Sequence, residues 1–285
     1  MRVVIDPKAG PCGGVRRAIR MVEKRLRDQE DIVAIGPLIH NNAEVARLAD
    51  EGLDTVQQDA VTSGDLEALQ GKRAFIRSHG VSPALRKKLE TAAAEIVDGT
   101  CPKVAVIQKQ IQQQYAAGRQ IVIIGKKGHP EVVGLAGHCD NKAVIISSEE
   151  DVQKIDTSRP TFLVSQTTIS HGKFIDLKEK ISHIIADLLV KDTVCRQVMN
   201  RHDDIRNFAA SMDVLFLVGG KQSSNTAVLF EVAKAANPAT FWIEEAQEIS
   251  ADWIKGKQNV GVSGSASTPV WQMEKIRDFL LSLKL

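Results

Sequence analysis

Along the chain, short runs of β-branched and aliphatic residues alternate with amphipathic stretches of helical period, and a polar or glycine-rich loop joins each pair. AFIR-SHGVSP-ALRKKLETA (74–92), IVIIG-KKGHPE-VVGLAG (121–137) and VLFLVGG-KQSSN-TAVLFEVAKAA (214–236) are three examples. Strand-sized apolar runs followed by helices predict α/β architecture with largely parallel sheets. In such sheets the loops at the carboxyl ends of the strands gather together and carry the chemistry.

The strand–loop–helix units come in sets of three, and each set opens with a cysteine before a helix: GPCGGVRRAIRMVEKRL, GTCPKVAVIQKQIQQQ and TVCRQVMNRHDDIRNFAA. The steps from Cys12 to His40, from Cys101 to His129 and from Cys195 to Ser223 are identical in length. A third polar loop follows in each set, at RSHGVS, SQTTIS and SGSAST, and the steps from the cysteines to His79, Thr167 and Ser263 are again nearly equal. The period from one cysteine to the next is longer than that of solenoid repeats. The expectation is three pseudo-equivalent lobes at 1–98, 99–192 and 193–285, each a small, mostly parallel sheet flanked by helices. Three such lobes about a pseudo-threefold axis would bring nine loops to one centre.

Composition narrows the partners. In 285 residues the 37 basic and 35 acidic side chains nearly cancel, so charge points neither to nucleic acid nor to an anionic membrane surface. No apolar run approaches bilayer length, and MRVVIDPKAG lacks the regions of a signal peptide. A cytoplasmic protein is expected. In a reducing compartment four cysteines do not form a disulfide framework. A lone intracellular cysteine is ordinarily a small buried hydrophobe, and Cys139, outside the repeat positions, is read that way. The shared offsets set Cys12, Cys101 and Cys195 apart.

Three thiolates suit a metal centre. A structural zinc site closes its tetrahedron with a fourth protein ligand, and a cubane iron–sulfur cluster usually takes four cysteines. A cluster on three would leave one iron open to substrate. Around it, Ser223, Ser224 and Asn225 precede one helix and Ser265 and Ser267 precede another. Any one such loop is ordinarily just an N-cap, but together these donors suit a phosphate at helix N-termini. His40 and His79 occupy equivalent loops of the first lobe and suit the same anion. The second lobe differs, with His129 and Glu131 on its middle loop and Thr167 and Thr168 on its third. A carboxyl group partly removed from water gains proton affinity, which makes Glu131 a candidate acid with Thr167 relaying or orienting its proton.

In order along nearly the whole chain, PCGGVRRAI, IGPLIHN, RSHGVS, DGTCP, GHPEVVG, SQTT, the Cys195 segment, GGKQSSNT and SGSASTP resemble the 4-hydroxy-3-methylbut-2-enyl diphosphate reductases, last enzymes of the non-mevalonate isoprenoid pathway. The resemblance implies a trefoil of three α/β lobes around a [4Fe–4S] cluster on Cys12, Cys101 and Cys195, with the substrate hydroxyl on the open iron. It implies that two electrons and protons remove the allylic hydroxyl to give isopentenyl and dimethylallyl diphosphates. His40, His79, Ser223, Ser224, Asn225 and Ser267 would hold the diphosphate, with Thr168 among the substrate-binding residues. His129 would sit near the substrate, Glu131 would supply protons, and Thr167 would belong to the proton path. Electrons would come from a ferredoxin- or flavodoxin-type carrier.

The chain departs from that pattern at several places, among them Arg201 and His202, where the family has an Arg-Gln pair. Pro11 stands where the family has Phe before the first cysteine, and Val198 where a Thr follows the third. Gly220 and Gln222 replace the more usual Ser and Asn. Two alternatives follow: the same scaffold acting on a different allylic substrate, or a cluster-binding sensor without catalysis. Retention of Glu131 and Thr167 speaks against the sensor, since sensing needs no proton donor.

Overall fold

The computed structural model describes residues 1–283; the last two positions of the 193–285 stretch lie outside the described residues. The first third runs β1 (Arg2–Ile5), α1 (Gly13–Arg27), β2 (Ile32–Ile35), α2 (Asn42–Asp50), β3 (Asp54–Val56), α3 (Gln58–Ser63), β4 (Arg73–Ile76), α4 (Pro83–Ala92) and β5 (Glu95–Asp98). The second runs α5 (Pro102–Ala116), β6 (Gln120–Ile124), α6 (Pro130–Gly137), β7 (Val144–Ile146), β8 (Thr161–Ser165), α7 (His171–Ile184) and β9 (Leu188–Val190). The last runs α8 (Arg196–Ala210), β10 (Val214–Val218), α9 (Ser224–Ala236), β11 (Thr240–Ile243), α10 (Ala251–Ile254), β12 (Asn259–Gly264) and α11 (Val270–Ser282).

The strands form three four-stranded, wholly parallel sheets, ordered β3-β2-β4-β5, β7-β6-β8-β9 and β1-β12-β10-β11. In each, the strand before the cysteine loop (β5, β9 or β1) is an edge, and the strands feeding the middle and third loops are central. β1 lies at the head of the 1–98 stretch yet pairs with β12, Arg2 opposite Asn259. It is the counterpart of β5 and β9, so the sheet of the third stretch is completed from the other end of the chain.

Central strands of a parallel sheet covered on both faces read as unbroken apolar runs, and every residue of VLFLV in β10 is buried. Val214, Phe216 and Val218 pack one way, with Ile243, Val262, Met273 and Ile276; Leu215 and Leu217 pack the other way, with Ile205, Ala209, Leu229 and Ala233. Each Val, Leu, Ile, Phe or Met among them contributes about 1.5–3 kcal/mol by leaving water. Val33, Ile35, Ala74 and Ile76 form the equivalent core of the β2–β4 sheet, and Ile121, Ile123, Phe162 and Val164 that of the β6–β8 sheet. Serines start the helices after the loops: Ser82, Ser170 and Ser223 accept the N–H groups of Leu85, Lys173 and Thr226, the usual N-cap arrangement. Among the described residues no helix is long and apolar enough to cross a membrane.

The chain divides into two compact units. Residues 17–38 and 51–195 form one, containing the β2–β4 and β6–β8 sheets; residues 1–16, 39–50 and 196 onward form the other, containing the β10–β12 sheet.

Candidate active site

In the unit of residues 17–38 and 51–195, two cysteines stand at matching places. Cys101 is the N-cap of α5, and its N–H donates to the Ser78 carbonyl at 3.0 Å. Cys195 directly precedes α8, and its N–H donates to the Thr167 carbonyl at 2.9 Å. Both are half-buried and neither is in a disulfide. Lys103, in the first turn of α5, donates from Nζ to Cys195 Sγ at 3.2 Å.

The Thr167 that holds Cys195 also holds Glu131. Its N–H donates to Glu131 Oε1 at 2.6 Å and its hydroxyl to Oε2 at 2.8 Å. Glu131 is 1% exposed, in the first turn of α6 behind Pro130. Burial pushes its carboxyl up to about 7, against the two Thr167 bonds, which favour the charged form. A group with that proton affinity holds and releases a proton near neutrality. His129 caps α6, accepting the Glu131 N–H on Nδ1 at 3.2 Å, which puts the neutral ring's proton on Nε2. The His79 and His129 rings meet edge to face, 5.3 Å between centroids.

The Thr168 hydroxyl accepts from Gln166 Nε2 at 2.7 Å. Gln166, 1% exposed, also accepts the Lys126 N–H and so ties the middle loop to the third. No sequence signal singled it out. Cys139 lies in the apolar core beside β6, its Sγ donating to the Ala136 carbonyl and its thiol pushed up to about 11 by burial. Cys139 is buried where Cys12, Cys101 and Cys195 are half-buried.

The other unit carries the remaining candidates. The Cys12 N–H donates to the Ala266 carbonyl at 3.3 Å. All three repeat cysteines therefore hang by the same backbone bond from a third loop, at Ala266, Ser78 or Thr167. The donor loops of β10 and β12 form a buried hydroxyl network. Ser223 Oγ lies 3.3 Å from Ser267 Oγ, which lies 3.0 Å from Ser265 Oγ; Thr226 donates to Ser265, and Thr268 to the Val218 carbonyl. Ser224 is half-buried at the first position of α9. Asn225 is 6% exposed, and neither end of its amide has a partner among the described residues. An unmet buried amide costs about 1–3 kcal/mol for each group left unpaired.

His40 is half-buried and backs onto the same loop so closely that a Cβ on Gly220 would overlap its carbonyl oxygen. A side chain at 220 would therefore force the His40 backbone to shift. Asn41 fixes the turn: its Oδ1 caps α2 through the Glu44 N–H, and its Nδ2 donates to Gln272, which in turn donates to the Glu244 carbonyl. Trp271 adds a bond from Nε1 to Glu44 Oε2 at 2.8 Å. Val198 is 5% exposed on α8.

Arg201 of the Cys195 segment is also structural. Its guanidinium donates to Asp6 and Ser263, and Ser263 donates to Asp6 at 2.8 Å, all three nearly sealed from water. This pair holds the loop leading to Cys12. Replacing Arg201 by Met leaves the Asp6 carboxylate buried without its counter-charge and lowers stability by about 3–5 kcal/mol. Chemical denaturation measures it; a loss under about 1 kcal/mol, the scale of an exposed pair, refutes the role.

Fold and site together define a class: a three-sheet parallel α/β protein with equivalent cysteines at its strand-end loops, a buried acid beside one of them, and a hydroxyl-lined helix N-terminus. The sequence profile of the LytB protein family matches residues 3–281. The chain is 39% identical over 285 residues to the 4-hydroxy-3-methylbut-2-enyl diphosphate reductase of Bacteroides fragilis, covering 98% of this chain and 97% of that one. It is 38% identical to the enzyme of the same name from Porphyromonas gingivalis, covering 99% of both. A solved structure of (E)-4-hydroxy-3-methyl-but-2-enyl diphosphate reductase, described as the terminal enzyme of the non-mevalonate pathway, superposes with TM-score 0.74 at 32% identity over 99% of both chains. That of the Plasmodium falciparum reductase shares the fold, with TM-score 0.86 at 23% identity, over 98% of this chain and 88% of that one. The chain belongs to the LytB family.

Proposed function

We propose that the protein is an iron–sulfur reductase that removes the allylic hydroxyl of 4-hydroxy-3-methylbut-2-enyl diphosphate, giving isopentenyl and dimethylallyl diphosphates. The observation that carries this reading is the Glu131–Thr167 pair, a carboxyl with a proton affinity near neutrality joined through one threonine to the backbone of Cys195.

Cys12, Cys101 and Cys195 would hold a [4Fe–4S] cluster. The donor set fits: three half-buried cysteines, each immediately before a helix whose dipole favours an anionic ligand, while the only other thiol is buried and protonated. When bound, the cluster supplies electrons and an iron without a protein ligand for the hydroxyl.

The chain's own residues supply binding and protons. Replacing C–OH by C–H consumes two electrons and two protons and releases water. When protonated, Glu131 donates from Oε2 to the Thr167 hydroxyl 2.8 Å away, reversing the bond that its carboxylate accepts, and that hydroxyl in turn donates toward the departing oxygen. His129, with its proton on Nε2, orients the substrate. Ser223, Ser224, Asn225 and Ser267 donate to the diphosphate, the idle Asn225 amide finding its partner there; His40 and His79 add ring N–H donors. A ferredoxin- or flavodoxin-type carrier would deliver the electrons, in the cytoplasm.

The test is an anaerobic assay of cluster-loaded protein with reduced viologen. Consumption of the allylic diphosphate with both products is expected; absence of turnover by protein of full iron and sulfide content overturns the substrate.

A further inference from the structure

The proposed function leaves open what sets His79, which stands on a glycine-containing loop (77–82) between β4 and α4. Two helices from the neighbouring sheet clamp that loop. On one side Gln108 of α5, 8% exposed, lies against Gly80, whose φ of +69° is left-handed and where a Cβ would overlap the amide. On the other side, α6 meets the loop residue by residue. A Cβ on Gly134 would lie 3.5 Å from the carbonyl oxygens of both His79 and Gly80, so helix and loop are in near-backbone contact there. A Cβ on Gly137 would overlap Ser82 Cβ. At the helix end His138 Nε2 lies 3.3 Å from the Val81 carbonyl oxygen.

A carbonyl only accepts, so His138 Nε2 carries the proton. Its Nδ1 is buried without a partner among the described residues, and burial holds the ring below its usual proton affinity. His138 is thus a neutral single donor. The other end of the same helix carries His129, whose ring meets that of His79 edge-on, and Glu131.

We infer that α6 positions both ends of the proposed chemistry at once, with His138 the positioning residue that holds the His79 loop in register with Glu131 through its bond to the Val81 carbonyl. The inference rests on the proposed diphosphate reading for what His79 does, and on packing alone for where His79 is. Misplacement of a binding group by about 1 Å is enough to weaken its contribution severely, and a rigid helix is a better ruler than a loop.

Cluster-loaded His138→Leu and His138→Gln are compared with the parent by calorimetric titration of inorganic pyrophosphate, by the split between KM and kcat, and by their crystal structures. His138→Leu is expected to weaken pyrophosphate about ten-fold, the scale of one charged hydrogen bond, raising KM more than it lowers kcat. Gln, which keeps an N–H donor, restores affinity to within about three-fold on the same scale. In a His79→Ala background His138→Leu changes nothing further. Equal losses in both backgrounds, or parent-like affinity in folded His138→Leu, overturn the inference. If His138→Leu does not fold, an undisplaced His79 with parent-like affinity in His138→Ala overturns it instead. If the parent binds no pyrophosphate, the diphosphate reading fails, while the His79 positions in the crystal structures still decide the positioning role.

Discussion

Glu131→Gln lowers kcat by about 10²–10⁴-fold, the range for loss of a general acid, while iron content and substrate affinity stay close to the parent's. The same variant is more stable than the parent at alkaline pH. A carboxyl whose folded-state value is about 7, against an ordinary 4.5, prefers the protonated form in the fold. The fold therefore bears no ionisation penalty below 4.5, acquires it between 4.5 and 7, and carries it in full above 7. That gap corresponds to about 3 kcal/mol. The stability difference between Glu131→Gln and parent should open across this window and then level off. Parent activity limited by the acid should decline as pH rises through about 7. Parallel stability–pH curves for variant and parent would remove the proton-holding role.

The second large effect separates the cysteines. Cys101→Ser and Cys195→Ser lose the cluster absorbance with its iron and sulfide; Cys139→Ser keeps all three. Cys139 sits at 0% exposure, its thiol bonded to its own helix and protonated at neutrality, so it offers no thiolate. Loss of the cluster in Cys139→Ser as complete as in Cys101→Ser would overturn the three-ligand proposal.

The constant step from each cysteine to the next polar loop was readable in the sequence because a helix and a strand set it. α1, α5 and α8 are all 15 residues long and each is followed by a short central strand. Helix rise and strand rise are fixed, so equal elements give equal spacing. The α/β class was legible for the same reason, since both periods are local. The partner of β1 was not: RVVI reads as a strand, but its neighbour β12 stands near the opposite end of the chain, and no local pattern encodes such a pairing. The side-chain bonds of the site were equally hidden. Thr167 and Thr168 are adjacent and alike in sequence, yet one faces Glu131 and the other Gln166, a distinction that arises only from the direction of each side chain. Asn41 with Gln272 and Asp6 with Arg201 pair across the chain in the same unreadable way.

The displaced first strand has a consequence for biosynthesis. Of the described strands β1 leaves the ribosome first, and β12, the strand it pairs with, leaves last. At a synthesis rate of about 5–20 residues per second, the interval between them is on the order of 10–50 s. Once β9 has emerged, the β2–β4 and β6–β8 sheets have all their strands, while the third still waits for β10, β11 and β12. Nascent-chain arrest anywhere before Asn259 should leave β1, and with it the segment that leads to Cys12, accessible to protease.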